Sequence, residues 1–269
     1  MKVLLAAVFA SMASTVVAPA AECPRPGTLG TSRVLRVDAA ATPRVGLKQF
    51  PQTLPLDDHE VVLTFDDGPW AATTPKVLEA LAAECVRATF FVVGKLAPER
   101  PGLMRRIAAE GHTVGHHTWS HRSLMRIPPS QTSDEIDRGI SAVELVLHGV
   151  ATTVPSTPFF RFPGFESTQA TLEALHSRGI VVFGADFWAS DWDPMSPAQE
   201  LKLLIDRLKA AGRGIILLHD TKTRTAAMLP AFLRYLRENR YRVVHVVPSE
   251  SAARVNVVPR EEQGSELKQ

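Results

Sequence analysis

Val61-Val62-Leu63-Thr64-Phe65-Asp66-Asp67-Gly68-Pro69 is an apolar run that stops abruptly on two carboxylates and a turn. A short run rich in β-branched and aromatic residues, closed by Gly and Pro, predicts a buried strand. The same rhythm repeats outward from it. Apolar runs at 88–93, 112–115, 159–162, 180–184, 215–218 and 241–247 alternate with longer helical patterns. Seven such strands, alternating with helix-like segments, predict repeated βα units and a parallel sheet.

The helical segments carry start and stop signals. Thr74-Pro75 opens one, and Ser196-Pro197-Ala198-Gln199 reads as a capping box with proline in the first turn. Gly111 and Gly179 close two others, where the residue past the helix end takes a left-handed conformation. Over 133–148, Ile136, Ile140, Val143 and Leu147 recur at helical spacing, predicting a helix that covers the sheet with its acids on the solvated face.

The chain has 269 residues, 45% of them hydrophobic and 22% charged, enough for a substantial core and too apolar for a disordered polymer. A formal net charge of +2 lacks the basic excess that nucleic-acid binding would require, so no nucleic-acid partner is expected. Residues 1–21 run from Lys2 through an apolar stretch to Ala18-Pro19-Ala20, the pattern of a cleaved secretory signal peptide. No later segment is long and apolar enough for a transmembrane anchor, so an exported protein, periplasmic or secreted, is expected. Two cysteines, Cys23 and Cys85, suit one disulfide in an oxidising compartment. Proline-rich 22–59 reads as an N-terminal arm packed on the exterior of a domain spanning 60–250, and 251–269 as a flexible tail. Nothing in the sequence fixes the oligomeric state.

Unusual polar residues fall at strand C-terminal ends: Asp66 and Asp67 after the first, His117 and His121 after the third, Arg161 in the fourth, Asp191 after the fifth and His219 after the sixth. In a closed parallel barrel those ends share one face, where active sites of such barrels are built. One carboxylate and two imidazoles leave positions open on a divalent metal, which makes Asp67, His117 and His121 a candidate ligand set. Taken singly, His117-x3-His121 is a weak signal and Asp66-Asp67-Gly68-Pro69 could be a mere turn. Their joint placement favours a site.

Thr64-Phe65-Asp66-Asp67-Gly68-Pro69, His117-Thr118-Trp119-Ser120-His121, Arg161-Phe162-Pro163-Gly164, Asp191-Trp192 and Leu217-Leu218-His219 resemble, in order, the five motifs of the polysaccharide deacetylases, carbohydrate esterase family four with the NodB homology domain. The resemblance implies a distorted (β/α)7 TIM-like barrel and hydrolytic removal of N-acetyl, or O-acetyl, groups from an acetylated polysaccharide or oligosaccharide. It further implies that Asp67, His117 and His121 hold one divalent metal, zinc or else cobalt or another transition ion. Asp66 resembles the general base and Arg161 the residue orienting it. The backbone N–H of Gly164 matches an oxyanion contact. His219 resembles the general acid, with Asp191 as its charge partner, and Trp192 and Leu217 resemble walls of the acetyl pocket. Two departures stand out: His116 replaces a frequent asparagine and is expected to add a polar group at the rim, and Gly164 stands where relatives often carry an aromatic residue. The competing readings are a related amidase acting on a small amide and a noncatalytic carbohydrate-binding protein. Trp70, Trp119, Trp188 and Trp192 could stack on sugar rings or simply be packed.

Overall fold

The computed structural model describes residues 25–249. The signal-peptide reading, Cys23 and the tail fall outside them. The strands are β1 (Thr31–Val37), β2 (Arg44–Val45), β3 (Glu60–Asp66), β4 (Thr89–Val92), β5 (Thr113–His116), β6 (Phe159–Phe160), β7 (Val181–Phe183), β8 (Phe187–Trp188), β9 (Gly214–His219) and β10 (Arg242–Pro248). Every expected strand is present, and the pairings are parallel throughout. The helices are α1 (Thr74–Ala83), α2 (Leu96–Glu99), α3 (Pro101–Ala109), α4 (Pro129–His148), α5 (Gln169–Ser177), α6 (Pro197–Ala211) and α7 (Thr223–Glu238).

β3 is buried at every position because both of its faces are covered. Val61, Leu63 and Phe65 pack outward with Leu78 and Leu81 of α1 and Leu229, Phe232 and Leu233 of α7. Val62 belongs instead to a second cluster with Phe91, Phe159, Phe183, Ile215 and Val244 inside the barrel. Side chains alternate across a strand, so one apolar run feeds both cores. The register β4–β3–β9 places Phe91, Asp66 and His219 level with one another, and β5 continues the wall beside β4. Strands β3 to β7 and β8 to β9 thus form the distorted barrel, with no direct pairing between β7 and β8.

The arm does not simply lie on the exterior. β1 pairs with β10, and β2 pairs with β7 at the open seam. Val37, Ala39, Val45, Leu54 and Leu56 join the interior cluster. A barrel missing one strand pairing leaves apolar interior and backbone groups to be covered, and the arm covers both. Two ties fix it: Arg33 grips Glu60 through Nε at 2.9 Å and its terminal nitrogen at 2.7 Å, and Asp186 accepts from Leu47 N, Thr53 Oγ1 and Ile215 N at 2.7–2.8 Å. Asp186 is therefore a structural pin between arm and barrel.

The capping box at Ser196 and Gln199 is formed, and Gly111 and Gly179 have φ of 82° and 68° past α3 and α5. The acids of α4 are not all solvated, because Glu135 and Glu144 are buried. Glu144 accepts from Ser156 N and Oγ at 2.8 and 3.0 Å, while Glu135 supports the site. Among the described residues no helix is long and apolar enough to cross a membrane, and there is no free cysteine. Cys23, the other half of the expected bond to Cys85, lies outside them.

Candidate active site

The turn leaving β3 presents Asp66 and Asp67 differently. Asp66 is the last residue of the strand and buried, while Asp67 takes a φ of 77° that swings its carboxylate toward the loop after β5. That loop carries His117 and His121, with Thr118 and His121 also in the left-handed region at φ of 63° and 61°. Such conformations persist only where surrounding contacts enforce them. Glu135 of α4 provides those contacts: it accepts from Ser120 N at 2.9 Å and Ser120 Oγ at 2.7 Å, and its carbonyl takes Trp119 N–H at 2.7 Å. Gly139 lets α4 approach this loop, since a Cβ there would stand 2.6 Å from the Thr118 carbonyl carbon.

Asp67, His117 and His121 each offer a ligand atom within 4.8 Å of the others. His117 Nδ1 donates to the Arg161 carbonyl at 2.6 Å, which commits its proton and turns the Nε2 lone pair toward Asp67 Oδ1, 3.5 Å away. Asp67 Oδ1 is buried with no hydrogen-bond partner among the described residues, and His121 Nε2 lies 3.1 Å from it. Burial works against the Asp67 charge, yet the facing His117 and His121 outweigh it and hold the carboxyl below the ordinary range. The contact with Asp67 in turn raises His121. Converging lone pairs around a half-buried carboxylate call for a cation, and this donor set suits a divalent transition metal.

Asp66 is held from below. Arg161, fully buried, donates through one terminal nitrogen to Asp66 Oδ1 at 2.7 Å and Thr64 Oγ1 at 2.8 Å. Its other nitrogens reach the carbonyls of Gly184 at 2.8 Å and Phe183 at 3.2 Å, and the guanidinium lies 4.3 Å from the centre of the Phe91 ring. Burial pulls the Arg161 pKa down, and Asp66 opposes that pull. Asp66 Oδ2 remains 3.9 Å from His117 Nε2.

His219 ends β9 with Nδ1 2.7 Å from Asp191 Oδ1 and Nε2 3.9 Å from Asp67 Oδ2. Burial lowers its basicity, but the Asp191 bond and charge more than compensate, and the imidazole is pushed up to about 9. Trp192 stands over it, edge-on at 5.9 Å and 45% exposed. Leu217 is buried two residues earlier, level with Thr64 and Trp188. Gly164 sits in a 3-10 turn at φ 58°, a conformation that suits glycine. All ten predicted site residues thus lie around the C-terminal mouth of the barrel.

Phe165 was not foreseen. It stacks 6.2 Å from Trp188, which lies 5.8 Å from Trp192, so an aromatic row leads to His219. Trp70 and Trp119 instead lie beneath Arg100 and Arg138 guanidinium groups, each at 4.6 Å. His116 is not at the rim: it is buried, and burial drives its imidazole down to about 3.

The family model described as polysaccharide deacetylase matches residues 54–183. A chitooligosaccharide deacetylase of Bradyrhizobium is 32% identical over 162 residues, 60% of this chain and 71% of that protein. The chain belongs to the polysaccharide deacetylase family. Within the family it is also similar to a peptidoglycan-N-acetylglucosamine deacetylase of Bacillus cereus, at 35% identity over 142 residues, 53% of this chain and half the length of that relative. Among solved structures, a peptidoglycan deacetylase of Bdellovibrio bacteriovorus superposes with a TM-score of 0.74 and 29% identity, covering 91% of this chain and 68% of that one.

Proposed function

We propose that this protein is a metal-dependent deacetylase that removes N-acetyl groups from an extracytoplasmic polysaccharide or oligosaccharide and releases acetate. One observation carries the reading: the Arg161–Asp66 pair and the Asp191–His219 pair stand beside the same three-donor cluster. Amide hydrolysis needs this combination, because water must lose a proton and the departing amine must gain one.

Asp67, His117 and His121 would hold the ion, with zinc as the metal of choice. When bound, a divalent ion there lowers the pKa of water and polarises the acetyl carbonyl. Asp66, with Oδ1 held by Arg161, accepts the proton of the attacking water at Oδ2. His219 delivers its Nε2 proton to the departing nitrogen, since Nδ1 is committed to Asp191. The Gly164 N–H is suited to the developing oxyanion. Trp192 and Leu217 wall the acetyl methyl, while Phe165 and Trp188 offer ring faces to neighbouring sugars.

The relatives' substrates, peptidoglycan and chitooligosaccharide, supply the substrate class. The pattern of residues 1–21 supports export, and export favours the Cys23–Cys85 bond. The test is acetate release by zinc- or cobalt-loaded protein from peptidoglycan fragments, chitooligosaccharides, an O-acetylated glycan and a small N-acetyl amide. Release from the N-acetylated glycans supports the proposal. Release from the small amide alone indicates an amidase, and no release despite bound metal leaves a binding protein.

A further inference from the structure

Thr225 of α7 lies between two buried carboxyl groups. Its Oγ1 is 2.8 Å from Asp191 Oδ2 and 2.9 Å from Glu200 Oε1, and all three side chains are sealed from solvent. A hydroxyl has one hydrogen to give and lone pairs to receive with. It cannot serve both oxygens fully, so one of the carboxyls brings a hydrogen of its own.

Asp191 is the accepting member. Its Oδ1 accepts His219 Nδ1 and its Oδ2 accepts the His219 main-chain N–H, each at 2.7 Å. Both of its oxygens are thus already taken up as acceptors. Glu200 lacks such support, because its Oε2 is buried with no hydrogen-bond partner among the described residues, a costly place for half of an anion. Burial and the neighbouring Asp191 together move the Glu200 carboxyl up to about 7, against the opposing pull of Thr225, Arg224 and His219.

We infer that Glu200 carries a proton on the acid side of neutrality and donates it to Thr225, so that Thr225 gives its own hydrogen to Asp191 and the Asp191–His219 pair is braced by a relay reaching from α7 to α6. Glu200 touches no reacting atom and is a positioning residue. Its neutral form keeps a second negative charge away from Asp191 and completes the three donors that Asp191 receives. Ionised Glu200 would compete for the Thr225 hydrogen, raise the basicity of His219 and make it a weaker acid. The kinetic consequence rests on His219 acting as proposed above, whereas the protonation of Glu200 does not.

Two measurements test this. The difference infrared spectrum of wild type against Glu200→Gln, recorded without substrate at pH 6, should contain the carbonyl band of a protonated carboxyl, and that band should vanish by pH 9. Its absence at pH 6 overturns the inference whatever the reaction proves to be; should Glu200→Gln misfold, carbon-13 carboxyl NMR of glutamate-labelled wild type reads the same proton. In the metal-loaded enzyme, Glu200→Leu should lose about tenfold in kcat with KM unchanged. Glu200→Gln, whose amide N–H can replace the donor, should rescue kcat at pH 6, and the ratio of its kcat to that of wild type should rise between pH 6 and 9. A flat ratio removes Glu200 from any influence on His219.

Discussion

Asp191 holds His219 twice, through the ring Nδ1 and through the main-chain N–H, each at 2.7 Å. The double contact fixes both the tautomer and the plane of the imidazole, so its remaining proton points from Nε2 toward the mouth of the barrel. His219→Ala should lower kcat by about two to four orders of magnitude with metal content unchanged, as loss of an acid-base group does. An acetyl ester with a good leaving group needs little protonation and should be far less affected. Equal losses on amide and ester, or loss of metal, would exclude the acid role.

The metal prediction follows from the converging lone pairs of Asp67, His117 and His121. Wild type should retain one divalent ion per chain by elemental analysis, and His117→Ala with His121→Ala should retain none. The double variant should still unfold cooperatively, because both histidines stand at the barrel mouth, outside the apolar clusters. Stoichiometric metal in the double variant would refute the assignment.

Arg161 links chemistry to stability. It is wholly buried, and its guanidinium donates to Asp66, Thr64 and the carbonyls of Phe183 and Gly184 in the interior. Arg161→Met leaves Asp66 buried and unpaired, and denaturant titration should show a loss of about 3–5 kcal/mol. Adding Asp66→Asn should recover part of that stability while activity stays lost. Lysine cannot reproduce the fork, so Arg161→Lys should be intermediate in stability and poor in kcat.

The legibility of this protein follows burial. The strands that carry the site are short unbroken apolar runs, and their ends mark Asp66, His117 and His219 directly. β2 and β8 are two residues each, too short for any periodic signal, and β1 interleaves Arg33 and Arg36 with half-buried positions. The arm therefore read as an external cover although it closes the seam. Glu135, Glu200 and Thr225 were hidden differently: on a helix a polar residue reads as solvated face, and only the tertiary fold reveals which ones turn inward. A polar residue flanked by the helix's own apolar stripe was the one signal available.

Buried neutral histidines should set the acid limit of stability. Burial drives His112 down to about 3 and His245 to about 4. His112 Nδ1 accepts the Ala88 N–H at 3.1 Å, which requires an unprotonated nitrogen. A group whose folded pKa lies below its unfolded value contributes stability that is present above the unfolded pKa, near 6.5, and lost as pH falls toward the folded one. These histidines therefore lower the unfolding free energy below pH 6.5, by up to about 1.4 kcal/mol per pH unit each. Glu200 and Asp220, both raised to about 7, act in the opposite sense, since their contribution is greatest below their unfolded pKa values and is lost as pH rises to 7. The net slope therefore mixes both kinds of group, and a substitution is needed to separate them. His112→Asn keeps an acceptor at the position of Nδ1 but cannot be charged. Urea titrations of the metal-free protein between pH 7 and 4.5 should show a shallower acid decline for His112→Asn than for wild type. Parallel curves would mean that His112 is as easily protonated in the fold as in the unfolded chain.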